Sequence, residues 1–75
     1  MENYICEVWS NSNPGRTYTV STKSAMRCAA EYGRADFGEV VQVLRKNGTV
    51  LSRVQWSPEE RGYILVTEGD NQNDR

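Results

Sequence analysis

The sequence predicts a small α+β domain in which one helix packs on one face of an antiparallel sheet. Three observations carry this prediction. Residues 44–51, Leu-Arg-Lys-Asn-Gly-Thr-Val-Leu, place Asn-Gly between two runs of β-branched residues, which is a hairpin signature. Residues 4–20 contain two short runs of β-formers around a turn-rich segment, and residues 25–32 are helix formers followed by Gly33. The predicted order is ββαβββ; the alternative order βαβββ treats residues 10–20 as a long loop.

The first elements follow from local composition. Residues 4–9 and 17–20 are predicted strands, and Pro14-Gly15 lies at the corner of the turn between them. Ser21 is expected to cap the helix, because its hydroxyl can accept a backbone N–H of the first turn. Spacing of i, i+3, i+4 and i+7 gives the helix one apolar face: Ala25, Cys28, Ala29 and Tyr32.

The central hairpin, with strands at 39–46 and 49–56, can close in two ways. A two-residue Asn-Gly loop puts Leu44 opposite Leu51, and the residues sharing a face are Val41, Val43, Val50, Val54 and Trp56. A three-residue loop with Gly48 in a bulge puts Leu44 opposite Val50, and the shared face becomes Val40, Leu44, Val50, Val54 and Trp56. A slip of one residue exchanges the two faces. Both registers are open at this stage.

Either register leaves more apolar sheet surface than one short helix covers. The predicted core residues are Cys6, Val8, Ala25, Cys28, Ala29, Tyr32, Val50, Val54 and Trp56. The residues left over as a candidate interface are Val41, Val43, Leu44 and Leu51. Scattered surface aliphatics are the simpler explanation, and a patch for a homo-oligomer or a protein partner is the functional one. The sequence therefore predicts a small interaction or accessory module that self-associates through the uncovered sheet face or an exposed strand edge.

Composition bounds the other possibilities. A chain of 75 residues with 37% hydrophobic and 25% charged residues and a net charge of −1 suits one ordinary globular domain. We expect that domain at residues 1–66, followed by a disordered polar and acidic tail at 67–75. No apolar run reaches the length of a membrane span and no signal-peptide pattern opens the sequence, so we expect no membrane contact and a cytoplasmic location.

The chemical inventory argues against catalysis, cofactors and metals. The sequence has no His and two Cys, Cys6 and Cys28, which we expect to be reduced and buried. No glycine-rich phosphate loop and no zinc ligand set is present in the sequence. We expect no enzyme activity. A deep pocket lined by either Cys with an Arg or Lys in contact would contradict this prediction, as would a rapidly reacting thiol.

Nucleic-acid binding is the competing hypothesis. Its candidate contacts are Arg45, Lys46 and Arg53, which alternate with aromatic residues on predicted strands and loops. Aromatic rings beside Arg are typical of single-strand binding platforms. The nearly neutral charge makes this hypothesis the less favoured of the two.

Residues 18–33 resemble a segment of small uncharacterised proteins of bacterial phages and conjugative elements. In both, a strand ends in a polar cap and an Ala-rich helix follows; the pattern usually has Glu just before the first Ala, where this chain has Ser24. The resemblance implies an accessory protein of a bacterial mobile element and carries no active site.

Overall fold

A computed structural model describes residues 3–12, 14–33 and 38–67. Its elements, in chain order, are strand β1 (Tyr4–Trp9), strand β2 (Arg16–Val20), helix α1 (Ala25–Cys28) continued by a π-helical turn (Ala29–Gly33), and strands β3 (Val40–Leu44), β4 (Val50–Ser57) and β5 (Gly62–Thr67). This order is ββαβββ, and it confirms the predicted α+β class. The predicted disordered tail, apart from Thr67, lies outside the described residues.

The five strands form one antiparallel sheet in the order β2-β1-β3-β4-β5. The connection from β2 to β3 therefore passes across β1, and α1 with the π-helical turn lies in this connection. The helical segment packs on one side of the sheet, and we call the opposite side the outer face. The outer face carries Ile5, Glu7 and Trp9 of β1, because alternate residues of a strand point to opposite sides.

The helix begins later than predicted. Its N-cap is Ser24, whose hydroxyl accepts the N–H of Arg27 at 3.2 Å, so the assignment of Ser21 as the cap is wrong. The hydroxyl of Ser52 on β4 also accepts the N–H of Ala25 at 2.8 Å and donates to the carbonyl of Lys23. Two polar backbone groups at the start of a short helix are thereby satisfied by the sheet beneath it. This attachment favours a start at Ala25 over one nearer Ser21.

The central hairpin uses both predicted registers, one in each half. The Arg45 N–H donates to the Thr49 carbonyl, Gly48 has a positive φ of 87°, and Leu44 lies opposite Val50, as in the three-residue loop. A bulge next to Leu44 then shifts the pairing, so that Val43 meets Ser52 and Val41 meets Val54, as in the two-residue loop. The extra residue of the bulge is Leu51, which turns into the core.

The core lies between the helical segment and the sheet and is built from small and medium side chains. Its members are Tyr4, Cys6, Val8, Val20, Ala25, Cys28, Ala29, Val41, Val43, Leu51 and Val54. Three candidate interface residues, Val41, Val43 and Leu51, are thus buried under the helix and cannot form an exposed patch, which corrects their assignment. The fourth, Leu44, is half-buried on the outer face.

Two predicted core residues are corrected by the structure. Val50 pairs with Leu44 on the outer face and is half-buried. Trp56 lies on the helix side opposite Tyr63 but remains 38% exposed. The other predicted core residues are buried, and Tyr32 packs against the core from its margin.

Candidate functional site

Four of the five large apolar side chains that are exposed in the described residues lie on the last two strands of the sheet, and the fifth, Met26, lies on the helix. The five are Met26 (42%), Trp56 (38%), Ile64 (44%), Leu65 (48%) and Val66 (49%). The last three are consecutive in β5, the terminal strand, and Trp56 lies on the neighbouring strand. An uncharged aliphatic run on a terminal strand is a template for pairing with another strand. We call residues Ile64, Leu65 and Val66, with the unpaired side of the β5 backbone, the β5 edge.

Local sequence explains why β5 forms. After β4 the chain turns at residues 58–61, where Arg61 takes a positive φ of 58°, and Gly62 opens the returning strand opposite Ser57. Ile64 then pairs with Gln55 and Leu65 with Val54. A bulge follows, since the next pair is Thr67 with Arg53 and Val66 has no partner in the register. Ile64 and Leu65 are therefore paired with β4, whereas Val66 lies at the bulge.

The hydrogen-bond pattern identifies which backbone groups of β5 point outward. The Trp56 N–H donates to the Glu39 carbonyl at 2.7 Å, so the backbone of Trp56 faces β3. In an antiparallel pair, N–H and C=O of one residue point to the same side and alternate along the strand. Tyr63, the partner of Trp56, therefore turns its own N–H and C=O away from β4. Leu65, two residues later, does the same.

Tyr63 anchors the strand that carries this edge. Its ring meets the Trp56 ring edge to face, with centroids 5.3 Å apart at 79°, and its hydroxyl donates to the Gly38 carbonyl. Gly33 lies against the same ring; a Cβ there would come within 2.9 Å of the ring carbon Cζ. Burial raises the pKa of the Tyr63 hydroxyl above its usual value. The β5 edge is therefore held in place by contacts on its helix side.

The outer face is more polar than predicted. A polar row crosses its centre, with Glu7 opposite Gln42 and Gln42 opposite Arg53, and Gln42 Nε2 donates to Glu7 Oε1 at 2.9 Å. The Arg53 guanidinium lies 5.7 Å from the centre of the Trp9 ring. Val40 pairs with Trp9 on this face and is only 9% exposed. Long side chains thus cover the middle of the outer face.

The three candidate nucleic-acid contacts are not brought together. Lys46 lies in the hairpin loop and Arg45 next to it, whereas Arg53 lies in the middle of β4. Arg53 lies four positions after Thr49, the partner of Arg45, which corresponds to about 13 Å along an extended strand. Arg53 Nε is buried and has no hydrogen-bond partner within the described chain. The arrangement offers one cation beside an indole and no continuous basic track.

The two cysteines meet beneath a cleft. Both are free thiols, with exposures of 0% for Cys6 and 1% for Cys28. The pKa of the Cys6 thiol is raised far above its usual range. The main cause is the hydrogen bond with the Cys28 sulfur, and burial is the second cause. A cleft of about 430 Å³ between β2 and the helical segment is lined by Cys28 together with Arg27, Glu31 and Tyr32.

A pocket lined by a cysteine with an arginine in contact would contradict the prediction of no enzyme activity, and both Cys28 and Arg27 line this cleft. The Cys28 side chain is nevertheless almost inaccessible, and nucleophilic chemistry requires an accessible thiolate. Thiol reactivity is therefore the measurement that decides this prediction. Over the described residues, no group of three or more His, Cys, Asp or Glu side chains could hold a metal ion. Within the same residues, no helix is long and apolar enough to cross a membrane.

Comparisons with known proteins give no relative. No protein-family model, no curated protein and no solved structure matches the chain. The resemblance of residues 18–33 to proteins of mobile elements therefore stays a prediction.

Sequence reasoning missed the β5 edge, although a signal was present. Residues 63–66, Tyr-Ile-Leu-Val, form an apolar run without the polar alternation that a half-solvated strand normally shows. Such a run is expected in a strand covered on both sides. In the fold this run lies on the terminal strand of the sheet, where the described residues leave three of its side chains exposed.

Proposed function

We propose that this chain is a non-catalytic protein-interaction module that self-associates through the β5 edge. The observation that carries this proposal is the run Ile64, Leu65 and Val66, each 44–49% exposed on the terminal strand of the sheet. Of the two contact surfaces that the sequence predicts, the uncovered sheet face and an exposed strand edge, we choose the edge, because long side chains cover the centre of the outer face.

The energetics favour a contact of moderate strength. Complete burial of an aliphatic side chain contributes about 1.5–3 kcal/mol, so each half-exposed residue of the edge can contribute about 1 kcal/mol. A contact between two copies buries six such side chains and pairs backbone groups that otherwise face water. Association costs at least about 4 kcal/mol in lost freedom of motion. The six side chains exceed this cost by about 2 kcal/mol at most. A micromolar dimer requires about 8 kcal/mol, so the backbone hydrogen bonds across the edge have to supply the rest.

Sedimentation velocity across the micromolar range tests this proposal. We expect a concentration-dependent dimer for the natural chain and a monomer for L65E, since the new carboxylate would lose its hydration in the contact. The matched control is M26E, which places the same charge at a similarly exposed methionine on the helix. M26E should dimerise like the natural chain. A natural chain that stays monomeric throughout, or equal loss of dimer in both variants, would contradict the proposal.

Nucleic-acid binding is the second candidate, and the contact between Trp9 and Arg53 is the observation that favours it. A base that stacked on Trp9 would quench its fluorescence, and a phosphate bound to Arg53 would make the affinity depend on salt. Titration with single-stranded oligonucleotides at low salt, using R53Q and R45Q for comparison, tests both points. No change in fluorescence at tens of micromolar protein would reject this candidate.

A further inference from the structure

We propose that a second copy of this chain pairs its β5 antiparallel to β5 about a two-fold axis at Ile64. The two five-stranded sheets would then continue into each other. This inference rests on the proposed function and specifies the partner and the register of the same edge. It follows from the outward backbone groups of Tyr63 and Leu65 and from the side of the sheet on which each residue lies.

The backbone groups select the register. In an antiparallel pair, residues that exchange hydrogen bonds must both turn their N–H and C=O toward the partner strand. On β5 these residues are Tyr63 and Leu65. With Ile64 at the axis, Tyr63 of each copy lies opposite Leu65 of the other, and both pairs exchange two hydrogen bonds. All outward groups of this segment are used.

The competing register places Leu65 at the axis. Leu65 then pairs with its own copy, but Tyr63 meets Thr67 of the second copy. Thr67 lies opposite Arg53, whose backbone faces β5 because it alternates with Val54, so the Thr67 groups point back to β4. This register forms half as many hydrogen bonds as the register centred on Ile64.

Side-chain placement agrees with the same register. A two-fold axis perpendicular to the sheet keeps the outer faces of the two copies on one side. Ile64, opposite Gln55, lies on the outer face and would contact Ile64 of the second copy. Tyr63 and Leu65, opposite Trp56 and Val54, lie on the helix side and would contact each other across the junction. Apolar groups thus meet apolar groups on both faces.

Charge and symmetry identify a second copy as the occupant. The six residues of β5, Gly-Tyr-Ile-Leu-Val-Thr, include no charged side chain, so two copies meet without like-charge repulsion. Pairing of β5 with β2 of another copy would repeat from chain to chain into a ring or an open filament, whereas pairing of β5 with itself closes after two chains. A closed dimer also leaves the polar strand β2 at both ends of the extended sheet.

Disulfide cross-linking of the full chain tests the register. The variants are I64C, L65C and the exposed control M26C, each treated with diamide, which takes up two hydrogens as two thiols form one S–S bond. The natural chain, with both cysteines buried, reports any background reaction. In the proposed dimer of I64C, the two introduced thiols face each other in a close pair without backbone hydrogen bonds, a geometry that a disulfide can bridge.

We expect I64C to form covalent dimers at least about 10-fold faster than M26C, because the paired thiols have a high effective concentration. L65C should react more slowly than I64C. Faster reaction of L65C would overturn the register while leaving self-association through β5 intact. If the natural chain sediments as a dimer but I64C and L65C form covalent dimers only at the rate of M26C, the β5 pairing itself would be overturned. Absence of a dimer for the natural chain in sedimentation would instead reject the proposed function.

Discussion

The two terminal strands of the sheet, β2 and β5, differ in how they meet solvent. On β2, Thr17 and Thr19 are exposed on the outer face, and the strand begins with Arg16. Its apolar side chains turn to the helix side, where Tyr18 stacks on Tyr32 at 4.1 Å and Val20 is buried. On β5, aliphatic side chains are exposed on both sides of the strand. The β2 edge thus exposes polar side chains to solvent, whereas the β5 edge exposes aliphatic ones.

Both terminal strands have unpaired backbone groups, but their side chains protect these groups to different degrees. Any terminal strand offers unpaired N–H and C=O groups, and natural sheets block unwanted pairing with charges, polar residues and short strands. β2 has all three of these features. β5 carries no charge, and its polar residue Thr67 and its bulge at Val66 lie at its end, so the middle of the strand, at Ile64 and Leu65, has no such protection.

The largest expected effect comes from giving β2 the character of β5. The double variant T17I/T19V places aliphatic residues at two exposed outer-face positions of β2, so both ends of a dimer become able to pair. We expect assemblies that grow with concentration, because a dimer that can pair at both of its ends can add further copies. Static light scattering at increasing concentration measures this growth. The matched variant T17S/T19S should keep the size of the natural chain, and a T17I/T19V variant of unchanged size would contradict the assigned difference between the edges.

A smaller effect is expected in the centre of the sheet, which both edges share. S52A removes the hydroxyl that binds the Ala25 N–H and the Lys23 carbonyl, leaving polar groups at the helix start without a partner. We expect the free energy of unfolding to fall by about 2 kcal/mol, while dimerisation of the folded protein is unchanged. The control is S57A, whose hydroxyl accepts only the exposed Glu60 N–H at 3.3 Å and should change stability little.

Chemical denaturation and sedimentation of these two variants separate folding from association. If S52A weakened the dimer as strongly as L65E, the contact surface would have to include the helix. If S57A destabilised the chain as much as S52A, the proposed attachment of the helix through Ser52 would be wrong.

The fold could be predicted from the sequence because local signals agree with one another. The Asn47-Gly48 turn, the helical spacing from Ala25 to Tyr32 and the Gly33 stop each specify their element without distant contacts. The helix start at Ser24 was not accessible, because it depends on Ser52, which lies far away in the chain. The hairpin register was not accessible either, since a bulge at Leu51 combines both alternatives.

The candidate site was harder to predict from the sequence than the fold, for a related reason. Whether an aliphatic residue is surplus depends on which side of the sheet the helix covers, and a one-residue shift reverses the answer. Val41, Val43 and Leu51 were therefore assigned to the interface although they form the core. Ile64 and Leu65 were left out although the strand order places them at the edge.

The smallest expected effect concerns pH and the anchor of β5. Burial raises the pKa of Tyr63 above its ordinary value of 10.0, so folding favours the protonated hydroxyl that donates to the Gly38 carbonyl. A group with a raised folded pKa contributes its full stability below the unfolded pKa and loses it as pH rises through the folded pKa. The free energy of unfolding should therefore decline as the solution becomes more alkaline than about pH 10.

Y63F keeps the ring against Gly33 and Trp56 but has no hydroxyl to titrate. Its decline at high pH should be shallower than that of the natural chain, although a decline should remain because the pKa values of Tyr32 and Cys6 are also raised. Denaturation by urea at a series of alkaline pH values, with both chains under the same conditions, gives the comparison. Identical pH profiles would mean that the hydroxyl of Tyr63 does not hold β5 in place. The strand would then depend on its backbone pairing with β4 and on the contacts of the Tyr63 ring with Trp56 and Gly33.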